Sequence, residues 1–168
     1  MIVREATPVD ARGIAEVHVR GWQIGLVDYF SSEYLRGQDW FLEEDGLERR
    51  REDLASTTDT TLIAEEDQRI LGFATYLKNR DHLAEDIGEL AAIYVDPDYW
   101  NRGVGTALMD NALQGMAEAG YRSAILWTLG ANIRTRRFYE NRGWQIDGTT
   151  KSHRTGVELV RYSRSLLP

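Results

Sequence analysis

Ile93-Tyr94-Val95-Asp96-Pro97-Asp98-Tyr99-Trp100-Asn101-Arg102-Gly103-Val104-Gly105-Thr106-Ala107-Leu108-Met109 passes from an apolar, strand-like segment through a turn into helical spacing. The apolar run ends at Val95, and Asp96-Pro97 turns the chain. Arg102-Gly103-Val104-Gly105-Thr106 then leads straight into apolar positions at helical intervals. A strand, a glycine-rich turn and a helix start, in that order, form a pocket for a phosphate. The first N–H groups of a helix lack intrahelical partners, and the helix dipole favours negative charge beside them. Gly103 and Gly105 carry no side chain, so a pyrophosphate can approach the backbone closely.

Two common phosphate patterns are absent. The dinucleotide-binding pattern needs a third glycine where Leu108 stands, and the Gly-Lys-Ser/Thr of a phosphate loop is missing. Trp100-Asn101-Arg102-Gly103-Val104-Gly105 instead resembles the coenzyme A signature of the GNAT superfamily of N-acetyltransferases, commonly Gln/Arg-x-x-Gly-x-Gly/Ala. Trp100 takes the Gln/Arg position. Backbone amides carry most of the pyrophosphate contact, so the exchange touches only a side-chain contribution. A second segment, Asn132-Ile133-Arg134-Thr135-Arg136-Arg137-Phe138-Tyr139-Glu140-Asn141-Arg142-Gly143-Trp144, resembles the superfamily's Asn-x-x-Ala-x-x-Phe-Tyr-x-x-x-Gly-Phe. Thr135 replaces the usual Ala and Trp144 the usual Phe. The interval between the segments holds one helix and one strand, as the superfamily requires.

Composition narrows the function classes. A chain of 168 residues suits one domain with one good core, and 42% hydrophobic with 28% charged residues is ordinary for a water-soluble globular protein. No apolar run approaches the roughly 20 residues of a membrane span. The start, Met-Ile-Val-Arg-Glu-Ala-Thr, lacks a basic-then-apolar signal, so a cytoplasmic location is expected. With no Cys, disulfides and thiolate catalysis are excluded, and the scattered His18, His82 and His153 argue against zinc; no metal is expected. A net charge of −7 disfavours nucleic acid. It either draws in a cationic amine or simply keeps the protein soluble.

Periodicity orders the elements. Ile2 to Ala6 reads as a strand, and Thr7-Pro8-Val9-Asp10 as a helix start with Thr7 as N-cap. Ala11, Ile14, Ala15, His18 and Trp22 share a stripe, with a break near Gly25 and a new cap at Ser31 or Ser32. Asp45 and Arg49 have i, i+4 spacing on a charged, solvated helix. Strands follow over 60–65, 70–77 and 88–95, with a hairpin tip at Asp67-Gln68. Val104, Ala107, Leu108, Ala112, Met116 and Ala119 make a helical stripe that stops at Gly120. A strand at 123–129, a helix ending at Gly143, and strands at 144–149 and 157–162 complete the chain. The pattern is a mixed α/β domain with a mainly antiparallel sheet and one right-handed strand-helix-strand crossover. The resemblance adds a GNAT-like α+β architecture. It implies about seven strands, about four flanking helices, a splay between the fourth and fifth strands, and one acyl-CoA N-acyltransferase domain over 1–168.

Acetyl transfer from a thioester to an amine requires deprotonating the amine, stabilising charge on the carbonyl oxygen, and stabilising the leaving thiolate. A lysine-like amine with pKa about 10.4 costs on the order of 4–5 kcal/mol to deprotonate at pH 7. The resemblance implies Tyr139 as the acid toward the thiolate; core packing of Phe138-Tyr139 is the competing reading. Glu89, inside the otherwise apolar run Leu90 to Val95, is the candidate base. It stands fourteen residues before Gly103, the register of a glutamate in histone-modifying members. Burial would raise its pKa; the competing reading is an exposed strand start, solvated or paired with Arg. Glu85 and Asp86 are stand-ins.

The resemblance further implies that the backbone of Ile93, Tyr94 and Val95 pairs with the pantetheine arm. Arg102, Gly103, Val104, Gly105, Thr106 and Ala107 would hold the pyrophosphate. Asn132 would bond the arm or simply cap its helix. One of Arg134, Arg136 and Arg137, with Arg137 carried as the candidate, would meet the 3′-phosphate. Trp22, Tyr29, Phe30, Trp40 and His82 lie where relatives bind the acceptor, and suit either an enclosing wall or core. The expected co-substrate is acetyl-CoA, and the acceptor a primary amine of a small molecule or peptide. A homodimer is expected by analogy only. A non-catalytic acyl-CoA sensor with the same fold is the alternative.

Overall fold

Seven strands form one sheet in the order β1-β2-β3-β4-β5-β7-β6 in the computed structural model, which describes residues 1–167. The strands are β1 Ile2–Glu5, β2 Asp59–Glu66, β3 Arg69–Lys78, β4 Ile87–Val95, β5 Ser123–Leu129, β6 Gln145–Ser152 and β7 Glu158–Ser165. Five α-helices accompany them: α1 Ala11–Gly25, α2 Ser32–Arg36, α3 Glu44–Ala55, α4 Val104–Glu118 and α5 Ile133–Glu140. All strand pairs are antiparallel except β4–β5. The mixed, mainly antiparallel architecture expected from the sequence is therefore present.

Local chemistry accounts for the element ends. Asp67 and Gln68 both take positive φ, 49° and 63°, as a two-residue hairpin turn requires. Ser31 accepts a hydrogen bond from the Tyr34 amide at 3.2 Å and so starts α2. Gly120 follows α4 with φ 92°. Two expectations shift. Pro8–Asp10 is a 3-10 turn, and the α-helix begins only at Ala11. The Asp10 carboxylate accepts from the Thr7 amide at 2.8 Å and is gripped by Arg4 through two bonds of 2.9 Å, which tightens the turn. Arg49 reaches forward to Asp53 at 3.2 Å rather than back to Asp45.

α1 and α4 bury opposite faces of the sheet. Ile14 and Val17 of α1 pack with Ile63 and Phe73, whereas Leu108, Met109, Ala112 and Met116 of α4 pack with Ala64, Ala74, Leu90 and Leu126. Neighbouring residues such as Ile63 and Ala64 serve opposite faces because strand side chains alternate. This two-sided burial explains why the central strands read as continuous apolar runs.

The feature that positions the site is the junction of β4 and β5. These strands pair only at Ile87–Ser123, Gly88–Ala124 and Glu89–Ile125. Beyond that point the backbone of β4 is paired on its β3 side alone, through to Gly72–Val95. A bulge falls at the same place. Tyr76 pairs with Leu90 and Thr75 with Ala92, leaving Ala91 as the extra residue. A bulge bends its strand and strengthens the local twist, which turns β4 away from β5.

Candidate active site

The glycine turn is anchored from beneath by Asp96, which is buried. Its carboxylate accepts from Arg20 of α1 at 3.2 Å, from Arg69 of β3 at 3.0 Å and from the Asp98 amide at 3.0 Å. The Trp100 indole N–H donates to the Val95 carbonyl at 2.9 Å, folding the turn back on the strand end. Asn101 and Gly103 both adopt left-handed backbone, φ 61° and 83°. Such alternation aims successive N–H groups into a concavity suited to an anion. A Cβ on Gly103 would have no atom within 4 Å, so the turn faces open space.

Cationic side chains rim this turn. Arg134 stacks 3.9 Å from the Trp100 ring centroid, and Arg102 lies 5.3 Å from that of Tyr99. Arg142 hydrogen-bonds the Thr106 hydroxyl in the first turn of α4 and the Phe138 carbonyl at 3.0 Å. Arg136 is turned away, to the Tyr162 hydroxyl at 2.9 Å and the Gly130 carbonyl at 3.1 Å. Arg137 is exposed and makes no ion pair among the described residues. Val104 is buried while Gly105, Thr106 and Ala107 are half-buried, so the helix start is open on one side only.

Glu89 stands at the junction, and Tyr139 lies in the core on α5. Glu89 is buried at the last paired position of β4, opposite Ile125. It is neither solvated nor unpaired: Arg80 binds it through Nη2 at 2.6 Å and through its backbone amide at 2.9 Å. Tyr139 is buried and packs its ring against Phe138, Trp144 and Tyr162. It thus belongs to the core, as the competing reading held, yet its hydroxyl has no hydrogen-bond partner among the described residues. The Tyr162 hydroxyl, by contrast, donates to Glu140 at 2.6 Å. Burial pushes the Tyr139 phenol well above its usual pKa, and the nearby Tyr94 adds to the effect. Asn132 is buried and caps α5, accepting from the Thr135 amide at 3.1 Å. Among the described residues, no group of three His, Cys, Asp or Glu side chains is placed to hold a metal ion.

Residues 25–144 match the family described as Acetyltransferase (GNAT) family. An N-acetyltransferase of Archaeoglobus fulgidus, itself uncharacterized, is 30% identical over 83% of this chain and 89% of that one. The chain belongs to the GNAT acetyltransferase family. A further N-acetyltransferase, from Bacillus subtilis, is 28% identical over 77% of this chain and 72% of its own. Among solved structures, the PaiA N-acetyltransferase of Thermoplasma acidophilum in complex with coenzyme A has a TM-score of 0.77 at 17% identity, covering 98% of each chain. That likeness carries the fold.

In this GNAT chain the α1 face of the junction is walled by aromatic rings. Trp22 lies 5.0 Å from Phe30 and 5.7 Å from Tyr34, while Phe30 and Tyr34 stack at 5.1 Å. His153, in the turn between β6 and β7, meets Phe30 at 5.6 Å and Tyr34 at 5.9 Å. Tyr34 and His153 were not singled out in the sequence, because no local pattern links a residue of α2 to one 119 positions later. Tyr29 is half-buried next to this wall in sequence, His82 is exposed in the loop before β4, and Trp40 is exposed against Phe41.

His18 and Tyr94 lie deeper on the same side. Burial pushes Tyr94 up to about 12. Burial, followed by the charge of Arg50, pushes His18 down to about 4. The folded chain therefore holds His18 neutral, whereas an unfolded chain binds a proton near pH 6.5. The stability this contributes is complete above about pH 6.5 and is lost as pH falls towards 4. It amounts to about 3 kcal/mol for a shift of this size. Urea unfolding at pH 7 and pH 4 is expected to reveal an acid-induced loss larger by that amount in wild type than in His18→Gln. Equal losses in the two proteins would exclude it.

Proposed function

We propose that the chain is an acetyl-CoA-dependent N-acetyltransferase that acts on a primary amine of a small molecule or peptide by direct attack within a ternary complex. The observation that carries this reading is the parting of β4 from β5 after Glu89–Ile125, with the glycine turn following the freed end of β4; the buried Tyr139, whose phenol feels Tyr94 of that freed edge, supports it. The residues fit the nucleotide. Gly103 leaves the cradle open where a Cβ would project, and the first-turn amides of α4 with Arg102, Arg134 and Arg142 complement a diphosphate. The unpaired edge of β4 through Ile93, Tyr94 and Val95 offers a strand-like partner to the amide-bearing arm. Arg137, exposed on α5, is the residue free to meet a further phosphate.

Acetyl-CoA supplies the activated thioester. The protein's own residues then do three things. The β4 edge orients the arm so that its sulfur end lies in the junction. Tyr139, held protonated by its buried surroundings, donates a hydrogen bond to the departing sulfur. Glu89, aimed by Arg80, collects the amine proton through one or two waters. Trp22, Phe30 and Tyr34 line the acceptor's approach, and their rings suit a cationic or apolar amine before it is deprotonated; Tyr29 borders them.

The test uses the purified protein, acetyl-CoA and a broad panel of primary amines, with thiol release as readout. Amine-dependent release is the expected result. Tight acetyl-CoA binding in calorimetry without release on any amine would replace this reading with that of an acyl-CoA sensor.

A further inference from the structure

Arg50, on the inner side of α3, makes no salt bridge among the described residues. Its guanidinium is largely buried between the Phe41 and Phe73 rings, 5.8 Å from each centroid. No carboxylate lies within 4 Å of it among the described residues, and its Nε is buried without an acceptor. Its one polar contact is a long one, from Nη2 to His18 Nδ1 at 3.4 Å. Asp53, which lines the same cavity and attracts Arg50 from beyond salt-bridge distance, is engaged by Arg49 at 3.2 Å. The guanidinium stands in the wall of a cavity of about 310 Å³, which is also lined by His18, Phe41, Phe73, Ala91, Ala92 and Tyr94. Arg49, Arg50 and Asp53 leave that wall with one net positive charge, because His18 is neutral at pH 7.

A buried charge left unpaired is expensive, and proteins keep one where something else completes it. The cavity abuts β4 at Ala91 and Ala92, the bulge that opens the junction. We propose that Arg50 receives a carboxylate of the acceptor, so that the preferred substrates are amines that also bear a carboxylate. The planar fork of a guanidinium matches a carboxylate in two parallel hydrogen bonds, while the rings of Phe41 and Phe73 and the methyl groups of Ala91 and Ala92 accommodate the carbon chain between the two charged ends. This assignment rests on the acetyltransferase reading for its orientation, with the amine end directed along β4 towards the junction.

The experiment compares ω-amino acids of increasing chain length with their amides and with the matching aminoalkylphosphonates. At one chain length, kcat/KM for the carboxylate is expected to exceed that for the amide by about tenfold or more, mainly through KM. Arg50→Gln is expected to lower kcat/KM on that carboxylate by about 10- to 100-fold and to bring the carboxylate-to-amide ratio to within about twofold. Arg50→Lys, which keeps the charge without the fork, should fall between, and replaces Arg50→Gln if that variant does not fold. Calorimetry with hexanoate as probe and hexanamide as control supplies a readout without turnover. If no amine is acetylated but hexanoate binds and Arg50→Gln weakens it, the acetyltransferase reading fails and the anion subsite stands. If amines are acetylated with no preference for carboxylates, or the phosphonates are favoured over them, the subsite assignment is overturned and the acetyltransferase reading stands.

Discussion

Tyr139→Phe is expected to lower kcat about 100-fold, the lower end of what a positioned proton donor contributes, or about 3 kcal/mol of barrier. The substitution removes only the hydroxyl, so the ring packing against Phe138, Trp144 and Tyr162 persists and stability should be nearly unchanged. Acetyl-CoA affinity by calorimetry should stay within about threefold, because the diphosphate and arm are assigned to other groups. The direction of the Tyr139 shift adds a pH signature. A phenol whose pKa is raised by burial keeps its proton to higher pH. The alkaline limb of kcat is therefore not set by Tyr139, and no new limb should appear or vanish between pH 8 and 10 in the variant. A weak acid of this kind works by hydrogen bonding to the developing thiolate rather than by early, complete proton transfer. Wild-type kcat in Tyr139→Phe would remove the residue from the chemistry.

Arg80→Ala is expected to destabilise the fold by about 2–3 kcal/mol, mainly through what it leaves behind. The Arg80 side chain is 63% exposed, so losing it alone matters little; an exposed ion pair contributes less than about 1 kcal/mol. Glu89, however, is only 3% exposed and would retain one protein hydrogen bond, from the backbone amide of residue 80. A carboxylate stranded in an apolar strand carries most of its desolvation cost. Urea unfolding at pH 7 measures the loss. The double variant Arg80→Ala/Glu89→Leu should recover most of it, since an apolar residue needs no partner there. Equal destabilisation in the single and double variants would show that Arg80 acts through packing and not through Glu89.

Several features could be read along the chain because their causes are local. The hairpin at Asp67-Gln68, the Ser31 cap, the glycine after α4 and the stripe of α4 are set by neighbours within a few residues. The glycine turn after β4 is of the same kind, since absent side chains and a helix start suffice to mark it. The helix start is local as well: Thr7 caps it, Pro8 takes the first helical position and Asp10 lies in the first turn, which is 3-10 before the α-helix proper begins at Ala11. The grip of Arg4 on Asp10 crosses a change of element and left no mark in the local pattern.

The chemistry of Glu89 shows where local reading ends. The apolar run around it left burial and an exposed, Arg-paired strand start both open; the fold buries it and pairs it with an Arg at once. Arg80 sits in an irregular segment, and only the pairing of β3 with β4 brings the two together. The same holds for Arg142 at Thr106, for His153 against Phe30 and Tyr34, and for Arg50 beside His18. Charged residues on a short helix look solvated in one dimension; whether one of them faces inward is settled by the helix's rotation over the sheet. The sequence by itself determined the order of elements and the glycine turn leading into a helix start, because hydrophobic period and turn stereochemistry act over a few residues. Only the tertiary structure decided the point at which β4 leaves β5, the ion pair that holds Glu89 and the guanidinium of Arg50 left without a salt bridge. Each of these arises between segments brought together by folding, and a side chain's partner across such a gap leaves no periodic trace in the chain.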